Sequence, residues 1–291
     1  MRLALKRVET RGAQRTPLFS IALIEIFVSS GKAMRRGHGN GVHCLEDVPV
    51  LTEFYETRKT DLDFADERMR RVVEAVVRAK PNHVLDIACG RGFLLKQLKG
   101  ALPESSFVGV DISEGSVQAT REGGFEAVRA DVEIALPFAA ASFDCVVFGE
   151  VIEHLVDPDA ALVNIATVLR KDGHLVLTTP NLASWFNRII LLAGFQPIFT
   201  ETSLHVNLGR GSRFLGQWRS TQGHLKIFTL AALQEMLKAN GFEIKELRGV
   251  PFHTSNIFSL IDRCLSRIPS LASNFVITAI NMETCATQYP S

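Results

Sequence analysis

The residues best equipped for chemistry stand in one stretch of the chain. Asp86 lies near the end of the apolar run His83-Val84-Leu85-Asp86-Ile87, and the turn Gly90-Arg91-Gly92 follows before a helical pattern opens at Phe93. Glycines at such a turn let backbone approach a ligand closely, and the helix start behind them offers unpaired N–H groups. A dinucleotide-binding G-x-G-x-x-G turn needs a third glycine at position 95, where this chain has Leu95. The Asp86 carboxylate would repel a pyrophosphate and suits a ligand with an ammonium group. Asp111 ends the next apolar segment, about twenty residues past Gly92, where a carboxylate can accept hydrogen bonds from both hydroxyls of a ribose. Asp131 ends the third and is a candidate acceptor for the exocyclic amine of a base. One acid at a strand end is commonplace. Three at successive strand ends, on the carboxyl edge where open parallel sheets bind ligands, form a more specific pattern.

A second group follows the fourth strand, in Glu150-Val151-Ile152-Glu153-His154. Glu150 and His154 are four apart and share a face if the turn is helical. Imidazole titrates near neutrality, so His154 is the candidate general base, against a structural or cofactor-shell role for the same ring. His205 and His224 are alternative bases, with exposed loop histidines as the plainer reading.

These residues need a frame, and the hydropathy pattern supplies it. Met69, Val72, Val73, Val76 and Val77 recur at helical spacing until Lys80-Pro81-Asn82 breaks them. Strands are expected at 83–87, 106–110, 125–130, 143–148, 174–179 and 242–250, with 273–280 a further candidate. A helix capped by Asp157-Pro158 carries Leu162, Ile165 and Leu169 on one face and is closed by Lys171-Asp172-Gly173. Another starts at Thr229 and stops at Asn240-Gly241. Strands alternating with helices imply right-handed βαβ crossovers, hence an α/β, doubly wound, mostly parallel sheet covered on both faces. Residues 181–228 break this rhythm with scattered glycines and aromatics, and read as an insertion; long insertions in compact domains are usually functional.

Composition sets the outer limits. The 291 residues are 46% hydrophobic and 22% charged, enough for a sizeable core, with 32 basic against 31 acidic side chains. That balance excludes the global electrostatic footprint of a nucleic-acid binder. Five widely spaced cysteines, none in C-x-x-C, fit neither a disulfide framework nor a zinc site, so no metal and a cytoplasmic address are expected. Residues 1–47 are expected to be a disordered or variable leader, basic over 1–33. Its apolar run at 18–28 is interrupted by Glu25 and too short to span a bilayer, and Met34 is an alternative start.

Taken together, LDIACGRG (85–92), VGVDIS (108–113), RADVEIALPFAAASFDCVVFGEVIEHLVDP (129–158), LRKDGHLVLTTPN (169–181) and GHLKIFTLAALQEMLKANGF (223–242) resemble the class I S-adenosylmethionine-dependent methyltransferases, in their small-molecule, ubiquinone-type branch with a type 11-like domain. The resemblance covers about 48–285 and implies a seven-stranded Rossmann-like sheet with its last strand antiparallel. Its glycine-rich loop commonly reads D-x-G-x-G-x-G, and Ala88 replaces the first glycine, a mild departure if φ at 88 stays negative. The resemblance implies that Asp86, Ala88, Gly90 and Gly92 face the methionine portion of the cofactor, that Asp111 holds the ribose, and that Ile112, Asp131 and Val132 frame the adenine. Glu150 is expected in the cofactor shell. The implied reaction is methyl transfer from S-adenosylmethionine, with S-adenosylhomocysteine as product, to oxygen of a small molecule or a glycan or lipid precursor. Residues 181–228 would form the substrate side or a lid. A small-molecule substrate, no nucleic acid, no membrane insertion and a homodimer are the partner expectations. Two other readings stand beside this one: a Rossmann-type nucleotide-dependent oxidoreductase, disfavoured by Leu95 and Asp86, and a non-catalytic cofactor-binding or regulatory protein, with the basic leader and residues 257–268 as a membrane-surface variant.

Overall fold

The structure, a computed structural model, describes residues 67–213, 215–252 and 257–282, all within the compact unit Asp47–Ser291. The leader and the alternative start at Met34 lie outside the described residues.

Seven strands form one sheet of order β3-β2-β1-β4-β5-β7-β6: β1 His83–Ile87, β2 Ser106–Asp111, β3 Glu126–Arg129, β4 Phe143–Gly149, β5 Leu169–Pro180, β6 Phe242–Val250 and β7 Asn274–Asn281. The pairings of β1 with β2 and β4, of β2 with β3 and of β4 with β5 are parallel, while β7 runs antiparallel to both β5 and β6. The helices are α1 Glu67–Ala79, α2 Phe93–Ala101, α3 Glu114–Glu122, α4 Pro158–Val168, α5 Trp185–Leu192, α6 Leu230–Ala239 and α7 Ile257–Leu265.

Alternation along the strands divides the core in two. Leu85, Val146, Phe148, Leu175, Leu177 and Ile277 pack with Leu162 and Ile165 of α4 and Leu233 and Leu237 of α6. Val84, Cys145, Val147, Val176 and Val276 turn the other way, onto Val72 and Val76 of α1 and Leu94, Leu95 and Leu98 of α2. A strand whose successive side chains are all apolar must be covered on both faces, which is why the central strands read as continuous apolar runs.

Helix starts follow the sequence signals. Ser113 caps α3 by accepting from Ser116 N, Asp157 caps α4 by accepting from Ala160 N with Pro158 behind it, and Thr229 caps α6 by accepting from Ala232 N. The end of α4 differs from expectation. The helix stops at Val168, and Leu169 already opens β5, paired with Phe143. Asp172 sits at φ +58, and a Cβ on Gly173 would meet Arg170 O at 2.8 Å, so Lys171-Asp172-Gly173 is a kink inside a strand and not a helix stop. The insertion also holds more regular structure than its aperiodic sequence suggests: α5 lies within it, and Val206 bridges Ser220 in antiparallel fashion. Among the described residues no helix is long and apolar enough to cross a membrane.

Candidate active site

The loop after β1 is fixed by β2. Cys89 N donates to Val110 O at 3.0 Å, Gly90 N donates to Asp111 Oδ2 at 2.9 Å, and Thr120 Oγ1 of α3 donates to Gly90 O at 2.9 Å. Gly90 and Gly92 take φ +55 and +74, as a tight strand-to-helix turn requires. Ala88 takes φ +58, which corrects the expectation of a negative φ there; the methyl group sits in the left-handed region that glycine tolerates best. The approach of loop to sheet is close enough that a Cβ on Gly109 would meet Cys89 Sγ at 2.6 Å, whereas a Cβ on Gly90 would meet nothing within 4 Å. Backbone at Gly90 therefore borders open space at the carboxyl edge.

Asp86 is 4% exposed and takes no hydrogen bond among the described residues. Burial, and then the neighbouring Asp111 charge, push its carboxyl up to about 8. Asp111 is also buried and holds Ser113 N at 2.9 Å with its second oxygen, so one carboxylate ties the glycine loop to the start of α3. Ile112 is half-buried, its carbonyl accepting from Arg129 Nε at 2.9 Å. After β3, Ala130 N donates to Asp111 O, and Asp131 makes an Asx turn by accepting Glu133 N at 2.9 Å. Asp86, Asp111 and Asp131 thus occupy one sheet edge. The Val132 side chain points into the core, and its carbonyl accepts from Asn164 Nδ2, so this residue offers the edge its backbone more than its side chain.

The second group is arranged differently from the sequence expectation. Only Ile152–His154 forms a helical turn, of 3-10 type; Glu150 precedes it at φ +56, so Glu150 and His154 do not share a helical face. Glu150 accepts from Thr178 Oγ1 at 2.9 Å and pairs with Arg68 of α1. Sequence reasoning missed Arg68, since one more arginine in an Arg-rich helix carries no signal. It also passed over Glu153, which is fully buried; Thr179 Oγ1 donates to its Oε2 at 3.0 Å, while Oε1 has no partner among the described residues. Burial, then the Glu150 charge, hold the Glu153 carboxyl well above the usual carboxylate range.

His154 faces Gly223 O from Nδ1 at 3.0 Å, and His224 faces Phe199 O from Nδ1 at 2.8 Å. A carbonyl only accepts, so each Nδ1 carries a proton, which leaves Nε2 as the nitrogen that can exchange one. The rings lie 4.9 Å apart. Ligand atoms of Glu153, His154 and His224 fall within 4.8 Å of one another, a donor set that can pass a proton or hold a divalent cation, although the cysteine spacing points to no metal. Its third member, His224, follows Gly223, which itself stands 69 residues past His154, a separation that no local motif advertises. His205 is exposed and outside this set. Cys89 and Cys145 are poor nucleophiles, because burial pushes both thiols up to about 12.

Of the insertion's aromatics, Phe199 stacks toward Phe186, Phe252 and His224 at centroid distances of 6.4, 5.4 and 6.3 Å. Trp185 Nε1 donates to buried Asp262 at 2.9 Å. Phe195 and Trp218, by contrast, are 42% and 63% exposed. Arg210 is buried and spends its guanidinium on the carbonyls of Leu215 and Thr200, while Arg213 and Arg219 are exposed.

A doubly wound sheet whose antiparallel β7 lies between β5 and β6, with acids at the carboxyl ends of the first three strands, defines the class I S-adenosylmethionine-dependent methyltransferases. The chain belongs to the Methyltransferase domain family, which it matches over residues 62–247. It is 31% identical over 210 residues to the ubiquinone biosynthesis O-methyltransferase of Rhizobium johnstonii, covering 70% of this chain and 75% of that one. To the namesake from Parvibaculum lavamentivorans it is 28% identical over 58% of this chain and 62% of the other. Over the next two curated relatives it spans 52% and 50% of their length. A solved SAM-dependent methyltransferase from Methanosarcina mazei shares the fold at a TM-score of 0.51 and 20% identity, covering 70% of this chain and 93% of that one.

The residues at the edge fit the family's cofactor, S-adenosylmethionine. A buried carboxylate without a donor suits an ammonium group, further carboxylates suit a diol and an amine, and the open space beside Gly90 leaves room for the ligand's chain.

Proposed function

We propose that this protein transfers a methyl group from S-adenosylmethionine to a hydroxyl oxygen of a small molecule or a glycan or lipid precursor. The domain is assigned to 48–285, with 181–228 as its substrate side. The observation that carries the reading is the set Asp86, Asp111 and Asp131 on one sheet edge around a left-handed glycine loop, in a chain of this family. O-transfer rests on the relatives, which are named ubiquinone biosynthesis O-methyltransferases.

In this reading Asp86 pairs with the ammonium group beside the backbone of Ala88, Gly90 and Gly92. Asp111 accepts from the ribose hydroxyls, Asp131 and the Val132 backbone meet the base, and Ile112 packs on its face. Glu150, pinned between Arg68 and Thr178, closes the crevice from the β4 side. When bound, the cofactor supplies a sulfonium methyl already activated for in-line transfer, so the protein's main task is to hold the acceptor in line near it. His154 presents Nε2 with its lone pair and takes the hydroxyl proton. Phe186, Phe199 and Phe252 form an apolar wall that excludes water.

Calorimetry with S-adenosylmethionine, S-adenosylhomocysteine and NAD tests the reading. Micromolar binding of the first two and none of NAD is expected; binding of NAD alone overturns it.

A further inference from the structure

The segment 222–226, near the end of the insertion, is gripped from the sheet edge on one side and from the earlier part of the insertion on the other. On the sheet side, Leu225 N and Lys226 N donate to Glu153 O at 2.8 and 2.9 Å, and Gly223 O takes the Nδ1 proton of His154. On the insertion side, a single carboxylate does the holding. Glu201 accepts Gln222 N on Oε1 and both Gly223 N, at 2.7 Å, and His224 N, at 3.0 Å, on Oε2. Phe199, two residues before it, receives His224 Nδ1. Three successive amides converging on one acid are worth more than three neutral bonds, because the acceptor is charged and its oxygens are used together.

We infer that Glu201 is a positioning residue that sets both imidazoles, by locking 222–224 where Gly223 O fixes the tautomer of His154 and where the His224 ring reaches Phe199 O. The carboxylate bonds the backbone amides of 222–224. It acts through the backbone it holds. Because Glu201 lies in the earlier part of the insertion, the placing of that part and the orientation of the two imidazoles become one event: with Glu201 displaced, residues 222–224 lose its hold and the two Nδ1–H groups lose the alignment of their acceptors. The inference deepens the assignment of His154 as the base and rests on it for its meaning in catalysis, though its test does not.

The test reads the rings directly. In water, proton NMR at low temperature with 15N-histidine labelling should show slowly exchanging Nδ1–H signals for His154 and His224, assigned with His154→Gln and His224→Gln. Glu201→Ala should remove both signals while the rest of the 1H–15N amide spectrum stays dispersed. Glu201→Gln, which keeps an acceptor oxygen but turns an amide N–H toward the same donors, should weaken them, and Glu201→Asp should restore at least one. Persistence of both signals in Glu201→Ala overturns the inference, as does their loss together with collapse of the amide spectrum in every Glu201 variant, which makes the residue a fold determinant and no more. Failure of the wild type to bind S-adenosylhomocysteine would count against the methyltransferase assignment and leave this result standing.

Discussion

At the scale of single residues, the two buried acids of the edge carry opposite costs. Asp111 is satisfied within the fold, by Gly90 N and Ser113 N. Asp111→Ala therefore loses the ribose acceptor and also unties the loop, and hydrogen bonds to a charged group are worth about 1.5–3 kcal/mol each. Affinity for S-adenosylhomocysteine, read by calorimetry, should fall at least about tenfold with the far-ultraviolet circular dichroism unchanged. Asp111→Asn, which keeps one acceptor oxygen, should lose less. Asp86 has no such partner, and its folded-state pKa of about 8 lies above the unfolded value of 3.8. Between those values the folded chain binds a proton that the unfolded chain gives up, so this group's contribution to stability is lost as pH rises from about 4 to 8. Asp86→Asn should then raise the Tm of the ligand-free protein at pH 8 but not at pH 4, with a gain of at least about 1 kcal/mol, while binding weakens. A Tm difference that does not grow with pH would show Asp86 to be ionised in the folded state.

At the scale of elements, the loop 88–92 shows what the sequence discloses and what it does not. Spacing placed the turn, the acids and the helix behind them, because glycine and strand-end chemistry are local. It missed the sign of φ at Ala88, because a single methyl group says nothing of the conformation a neighbouring strand imposes. A left-handed non-glycine residue costs about 1–2 kcal/mol, partly offset by the greater chain entropy of glycine. Ala88→Gly should therefore stabilise the protein by up to about 1 kcal/mol in urea unfolding, with cofactor affinity unchanged or improved. Gly109→Ala tests the other side of the same contact, since its Cβ would stand 2.6 Å from Cys89 Sγ. Overpacking of this kind typically costs about 1–3 kcal/mol, and here the strain falls on the loop, so affinity should drop along with Tm. The end of α4 was misplaced for a related reason: Leu169 continues the helical spacing but is claimed by its pairing with Phe143 on the neighbouring strand, a tertiary preference that overrides the local one.

At the scale of the whole molecule, the doubly wound sheet was readable because its strands and helices alternate and each buries an apolar face, whereas the site is shared between segments far apart in sequence. Glu153 and His154 follow β4, His224 lies near the end of the insertion, and Glu201 and Phe199 lie earlier in it. The insertion then divides into two parts. Residues 181–200 are tied to the body by Asn181 Nδ2 on Ala272 O at 2.7 Å and by Trp185 on Asp262, and are braced internally by Asn187 on Ile198 through both side-chain atoms. Residues 203–220 bond mainly to one another, through Asn207 N on Arg219 O, Trp218 N on Asn207 O, Arg210 N on Gln217 Oε1 and the Val206–Ser220 bridge. A self-contained excursion of this kind can be removed at little cost to the rest, because loop closure depends only weakly on length. Replacing 203–220 by a short Gly-Ser link, with Glu201 retained, should leave Tm within about 3 °C and S-adenosylhomocysteine affinity within about twofold. A radiolabelled methyl-transfer screen over phenolic, sugar and lipid-precursor hydroxyls should then show a changed acceptor range for the shortened chain. If that range is identical to the full chain's, acceptor choice resides in Phe186, Phe199 and Phe252, and changing those three to alanine should abolish it.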